Sequence, residues 1–425
     1  MNAEKAQSDK AWVTTFQRKL YVAAKRSETR HFGILYDKVA REDVVREAWR
    51  RVRRNRGSAG VDHQSIQWIA EQYGVKRFLD ELRQELTDET YQPGLVRRVW
   101  IPKPGRYEKR PLGVPTVRDR VAQMAMKLII EPLFEADFLD VSYGYRPKRS
   151  AQQAVNEIYR LSNRRKWVVE VDLKSYFDTI PHDRLKACLY KRISDRKVKH
   201  LLRKWLKAGV LDDGKVTIPD RGSPQGGVLS PLLSNIYLHQ LDVQWDEADG
   251  KLIRYADDLV ILCHARQEAK AALEKVRALI TELGLVINEK KTRVVHLSEG
   301  FDFLGFTFRQ GCSPVSGRTV VVKVPRTAKV RSLVGRVKEK LQKTCLGVTI
   351  REAIARINPI LRGWAMYFRI GHSFSSALQA MHGICEQLRL FLRRRHARKR
   401  CRGYRFWPNR FFYKEGLLYV PALVR

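Results

Sequence analysis

Two short apolar runs, Leu252 to Tyr255 and Leu259 to Leu262, are separated only by Ala256, Asp257 and Asp258. Short runs on either side of a tight polar link read as a β-hairpin. This hairpin would carry two adjacent carboxylates at its tip, where like charges repel unless something positive stands opposite. Whatever packs around it must supply that partner, so the hairpin constrains the rest of the fold.

The flanking sequence predicts the neighbours. Trp167 to Leu173 is a Val-rich strand containing Asp172, and a helical stretch follows at Asp183 to Ile193. Ser230 then stands before Pro231 as a helix cap. The helix it opens is expected to turn Leu232, Leu233, Ile236, Tyr237 and Leu241 one way. After the hairpin, Ala269, Ala272, Leu273, Val276, Leu279, Ile280 and Leu283 have helical spacing, and Gly284 closes that helix. A last strand is expected at Leu285 to Ile287. Strand, helix, hairpin, helix, strand is the split β-α-β order of a ferredoxin-like sheet, an α+β arrangement that sets the Asp172 strand beside the hairpin.

The charge balance says what such a site faces. Lys and Arg number 82 against 45 Asp and Glu, a formal net charge of +37. Self-repulsion on this scale calls for a polyanionic partner. The excess is spread along the chain, which suits a large wrapped nucleic acid better than a membrane anchor. From Lys323 onward there are 24 basic residues and four acids, and Arg389 to Arg410 holds ten basic residues and no acid. Helices are expected there at Val330 to Leu341, Pro359 to Phe368 and Leu378 to Arg395. In the N-terminal stretch, Trp12, Phe16, Leu20 and Ala23 recur at helical spacing. No apolar run approaches the ~20 residues that span a bilayer, and Met1 to Lys10 lacks the apolar core of a signal peptide. The six cysteines are widely spaced without a Cys-x-x-Cys pair. These features predict no membrane association and a reducing, cytoplasmic setting.

Three acids in so basic a chain suit phosphoryl transfer. That reaction asks the protein chiefly for positioning and for two divalent ions roughly 4 Å apart. Such ions take hard oxygen ligands, which Asp172, Asp257 and Asp258 would supply. The loop Gly222 to Gly227, just ahead of a helix start, is a reasonable nucleotide contact. Lys103 and Arg110 flank a turn between two extended, Pro-rich segments and are candidates to grip a triphosphate.

At this point the motifs match a known family. Tyr255-Ala256-Asp257-Asp258 resembles the Tyr-x-Asp-Asp box of reverse transcriptases, with Asp172 in Val171-Asp172-Leu173-Lys174-Ser175-Tyr176-Phe177-Asp178 as its partner. Ser223-Pro224-Gln225-Gly226-Gly227 resembles their Pro-Gln-Gly box. Phe303-Leu304-Gly305-Phe306 is similar to the primer grip, and Asn288-Glu289-Lys290-Lys291-Thr292 to the lysine segment before it. Asn55 to Asp62, Ile101 to Pro104 with Arg110 to Pro115, and Ser142 to Pro147 resemble the N-terminal motif and the two fingers blocks of group II intron proteins. Asn358 to Trp364 with Tyr367-Phe368 resembles their maturase domain.

The resemblance covers nearly the whole chain and implies an RNA-directed DNA polymerase that copies intron RNA and assists its splicing and mobility (retrohoming). It implies a right-hand polymerase: an N-terminal helical extension at 1–45, fingers at 46–165, a ferredoxin-like palm at 166–320 with a fingers-side insertion near 195–230, and a three-helix basic thumb, the maturase domain, at 321–425. Asp172, Asp257 and Asp258 would hold two Mg²⁺, with Mn²⁺ as an alternative metal. Lys103 and Arg110 would hold the phosphates of the incoming deoxynucleoside triphosphate (dNTP), Gln225 would contact that nucleotide, and Phe177 would exclude a 2′-hydroxyl. Lys291 would protonate the leaving pyrophosphate, and Phe303, Leu304 and Gly305 would grip the primer. Arg393, Arg394, Arg395, Arg398, Lys399 and Arg400 would bind RNA, mainly through phosphates.

The implied partners are group II intron RNA, an RNA template with a DNA primer, dNTPs and a DNA target, in a bacterial ribonucleoprotein or at the nucleoid. Two departures stand out. The turn from Gly105 to Lys109 is longer than usual. No His- and Cys-bearing nuclease segment follows the maturase-like one, so a nuclease-less, class C-like branch that takes its primer from elsewhere is expected. The rival readings are a splicing-only maturase and a host-adapted reverse transcriptase in defence or repair. Intact Asp172, Asp257 and Asp258 argue against the first; the maturase-like segment and Ala256 argue against the second.

Overall fold

A computed structural model describes residues 3–102, 109–223, 226–312, 317–396 and 403–425 of the chain. The fold is α+β. Its contacts gather into two units that do not follow the chain in order: residues 1–150, 171–259 and 273–292 in one, and 151–170, 260–272 and 293–425 in the other.

The first unit is centred on the helix Val117–Glu135, buried on almost every side. Its middle and end, Val121 to Phe134, are mostly apolar, but Asp119, Arg120, Gln123 and Glu131 are enclosed with them. The helices Ala3–Arg26 and Glu42–Arg54 pack against it and against each other. In the N-terminal helix Val13, Leu20 and Ala24 are buried. Of the expected stripe Leu20 is buried, while Trp12, Phe16 and Ala23 are partly covered, and Val13 and Ala24 beside them go deeper. Two acids that this core encloses are partnered. Asp119 accepts from the Tyr91 hydroxyl and the Gly94 amide, and Glu131 lies 3.4 Å from Lys127.

This unit also contains a four-stranded sheet of β1 (Val96–Pro102), β2 (Lys109–Val114), β4 (Val210–Asp212) and β5 (Lys215–Thr217), in the order β2-β1-β4-β5. β1 and β2 are antiparallel, with Arg110 opposite Ile101.

A second sheet has the order β6-β7-β3-β8. β3 is Trp167–Asp172, β6 is Lys251–Tyr255, β7 is Asp258–Cys263 and β8 is Arg293–His296. The chain passes from one unit to the other within β3 and within β7. The final strand was expected at Leu285 to Ile287 and lies instead at β8. There only Ile287 forms a bridge, to Leu173, while β8 pairs with β3 from Trp167↔His296 to Glu170↔Arg293.

The helix Ser230–Gln244 departs from expectation twice. Ser230 is not its cap: Leu229 occupies that place, and the Ser230 hydroxyl accepts from Ser223 at 2.8 Å. The helix also has no single apolar face, because Ser234, Asn235, Leu238 and Asp242 are buried alongside the predicted residues.

The second unit holds a sheet in the order β11-β10-β9, made of β9 (Phe301–Phe303), β10 (Phe306–Cys312) and β11 (Thr319–Pro325). Three long helices follow, Thr327–Gln342, Ile350–Phe368 and Phe374–Arg395. The first and third approach closely at Gly383, where a Cβ would stand 3.0 Å from Val334 Cγ2. The middle helix begins nine residues before Pro359, the expected start. Its signal is a capping box in which Thr349 and Glu352 satisfy each other's amides.

Candidate active site

Asp172 ends β3, and the segment after the helix Arg266–Glu282 secures it. The Asp172 carbonyl accepts from the Asn288 amide at 2.7 Å, and its own amide donates to Thr292 Oγ1 at 3.3 Å. Its carboxylate receives Asn288 Nδ2 at 2.8 Å and Lys291 Nζ at 2.9 and 3.0 Å.

The hairpin tip is built differently. Ala256 is buried and left-handed, with φ +56°, so the chain reverses between β6 and β7 and presents Asp257 and Asp258. A small side chain suits that position, where a β-branched one would be strained. Beneath the turn lies Arg254, fully enclosed. Its guanidinium forks onto Asp242, which is equally enclosed, with Nε at 2.7 Å from Oδ1. It also donates to Asn235 Oδ1 at 2.9 Å and to the Ala256 carbonyl at 3.1 Å. Asn235 in turn donates to the Gly144 carbonyl at 2.7 Å, and the Tyr143 amide donates to the Arg254 carbonyl at 2.9 Å. Gly144 lies against the turn itself, where a Cβ would come within 2.4 Å of the Ala256 nitrogen. Only glycine fits there.

The acids feel one another. Burial pushes the Asp257 carboxyl above the ordinary aspartate range and the Asp172 charge adds to the push, while Arg110 and Lys291 oppose it. Asp258 is raised to about 6, by desolvation first and then by repulsion from Asp257 and Asp172, with Lys291 opposing. Its side chain still reaches solvent. Among the described residues no three His, Cys, Asp or Glu side chains are gathered closely enough to hold a metal ion.

Comparison with known proteins bears on this arrangement. Residues 101–308 match the family described as reverse transcriptase (RNA-dependent DNA polymerase), and residues 330–410 match the group II intron maturase-specific domain. The chain is 34% identical over 357 residues to Protein YkfC of Escherichia coli (strain K12), an alignment spanning 74% of this chain and 93% of that one. It is 28% identical over 433 residues to the group II intron-encoded protein LtrA of Lactococcus lactis subsp. cremoris, spanning 81% of this chain and 72% of LtrA. The chain belongs to the group II intron-encoded reverse transcriptases. Like them it joins an RNA-directed DNA polymerase to a maturase region acting in intron splicing and mobility.

Other residues singled out in this reverse transcriptase fall in four groups. Lys103, Gln225, Arg398, Lys399 and Arg400 lie outside the described residues. Arg110 is exposed on β2, and Phe177 is half-buried, with its carbonyl accepting from the Ser223 amide at 2.7 Å. Phe303 is buried and pairs with Phe306 across a two-residue turn of Leu304 and Gly305, both at positive φ. That is the tight-hairpin geometry of a primed turn. Arg394 and Arg395 donate to the carbonyls of Leu341 and Val348, so part of their hydrogen-bonding capacity is spent within the protein.

Sequence reasoning missed Arg254, Asp242, Asn235 and Gly144 as parts of the site. The signal was there: an arginine inside an apolar strand, and the one acid of the helix Ser230–Gln244. No helix of the described residues is long and apolar enough to cross a membrane.

Proposed function

We propose that Asp172, Asp257 and Asp258 form the polymerase centre of this reverse transcriptase, in a right-hand architecture. The palm is the β6-β7-β3-β8 sheet, a ferredoxin-like strand order. The fingers carry β1 and β2, and the helices from Thr327 to Arg395 form the thumb. The observation that carries this reading is the hairpin that presents Asp257 and Asp258 together, with Asp172 near enough that burial first and its charge after it hold both carboxyls up, in a chain of formal charge +37. Carboxylate oxygens are the hard ligands that divalent cations take, and cations drawn between these acids would bring them closer and relieve the repulsion.

Two Mg²⁺ ions bound there would stabilise the charge on the attacking 3′-oxygen and the leaving phosphate. The protein's own groups orient and neutralise. Asp257 and Asp258 are presented by the Ala256 turn, and Asp172 is aimed by Asn288. Arg110, with Lys103, meets the phosphates of the dNTP, while Phe177 and Gln225 border its sugar and base. Lys291, which reaches Asp172, would give a proton to the departing pyrophosphate. The basic C-terminal region, including Arg393, holds intron RNA and the template–primer duplex through phosphates, in a cytoplasmic ribonucleoprotein.

Primer extension on an RNA template with Mg²⁺ and deoxynucleotides tests the proposal. Asp257→Ala should abolish extension and leave RNA binding intact. Full extension by that variant would remove the metal role from the hairpin. A wild-type protein that binds RNA but never extends a primer would point to a splicing-only maturase.

A further inference from the structure

Tyr145 stands out beside this site. Its neighbours are held firmly. The Tyr143 amide bonds to Arg254, Asn235 bonds to the Gly144 carbonyl, and Gly144 lies flat against the Ala256 backbone. On its other side Arg146 is buried, with its guanidinium on Glu135 and on the carbonyls of Leu139, Ser142 and Phe138. Between these anchors Tyr145 is left-handed, with φ +57°, and 52% exposed.

A bulky aromatic rarely adopts that conformation, and it persists only where the surroundings impose it. Here they impose it on a ring that gains little burial in return. The ring stands 6.1 Å from that of Tyr255, the residue that opens the Tyr-x-Asp-Asp turn. The charges of Asp257 and Arg110 both act on its hydroxyl. A dNTP whose phosphates reach from a cation to the metal-binding acids must pass between Arg110 and Asp257. Tyr145 stands beside Tyr255, within reach of both charges.

We propose that Tyr145 is a substrate-contacting residue of the polymerase, held in a strained conformation so that its ring and hydroxyl touch the sugar–triphosphate of the incoming nucleotide. This rests on the polymerase reading of the acids. Wild-type extension tests that reading first, so the two can fail separately.

The experiment is steady-state primer extension with Tyr145→Asn and Tyr145→Phe, alongside thermal unfolding and template–primer binding of each variant. Asn tolerates the left-handed region, so the loop should keep its shape and Tm should hold or rise. The KM for dNTP should rise about 10- to 100-fold in Tyr145→Asn, the size of one hydrogen bond to a charged group. Tyr145→Phe assigns the contact: a similar rise puts it on the hydroxyl, and a wild-type KM puts it on the ring. An unchanged KM in Tyr145→Asn overturns the proposal. So does a loss that follows a fall in Tm, or one confined to template–primer affinity.

Discussion

Lys291 Nζ lies 2.9 Å from Asp172 Oδ2 and 3.0 Å from Oδ1, so this carboxylate is neutralised by the chain itself. A cation and an ammonium would then compete for the same oxygens. Lys291→Met should bind Mn²⁺ more tightly than wild type when no nucleotide is present, as read by paramagnetic titration. The same variant should extend primers roughly 10²- to 10⁴-fold more slowly, the usual loss on removing a general acid. Weaker Mn²⁺ binding in the variant would show that Lys291 does not compete for Asp172.

The pair beneath the turn offers a stability test. Arg254 and Asp242 are both fully enclosed, so truncating one strands the other as a bare buried charge. Arg254→Met should lower unfolding free energy by about 3–5 kcal/mol, measured by denaturant titration. Arg254→Met with Asp242→Leu should recover much of that loss. Activity should not recover with it, because the Ala256 carbonyl still lacks its donor.

Glu131 gives a pH signature. Burial holds its carboxyl above the ordinary glutamate range, and nearby Lys127 opposes the shift. The folded chain therefore keeps this proton to higher pH than the unfolded chain does. Stability from this site is fully present below the ordinary glutamate value and is lost as pH rises through the raised one. Glu131→Gln should accordingly gain Tm over wild type at pH 8 and lose that advantage near pH 4. A constant difference across that range would mean that Glu131 does not titrate as described.

The basic C-terminal region makes a prediction about salt. If it neutralises ~6–10 phosphates, intron RNA affinity should fall ~10³- to 10⁵-fold between about 50 and 200 mM salt. Filter binding across that range measures the slope, and a flat response would take this region out of RNA recognition.

The hairpin of Asp257 and Asp258 was legible because two apolar runs bracket a three-residue polar link, a pattern few structures other than a tight turn satisfy. Asp172 was legible for a similar reason, as an acid closing a Val-rich strand. Errors arose where a local signal had a tertiary competitor. Ser230 has the chemistry of a cap, but Ser223 claims its hydroxyl. Leu285 to Ile287 is as apolar as a strand, yet pairing with β3 begins at Arg293. Pro359 suggests a helix start, and the Thr349–Glu352 box outranks it. Charged residues were the hardest to read. Arg254 and Asp242 look solvent-facing until the helix and strand that carry them are brought together.

The turn of Leu304 and Gly305 is not free-standing. The Tyr367 hydroxyl donates to the Leu304 carbonyl at 2.7 Å, and the Arg326 amide donates to the Gly305 carbonyl at 2.9 Å. The turn falls in the part of the chain matched as reverse transcriptase, and Tyr367 in the part matched as maturase. A chimera that exchanged the maturase region at its sequence border would replace the Tyr367 side of the first tie and leave the Arg326 tie whole. A swapped module that lacks a hydroxyl at position 367 would leave the Leu304 carbonyl without its donor, so the shape of this turn depends on a residue more than sixty positions away.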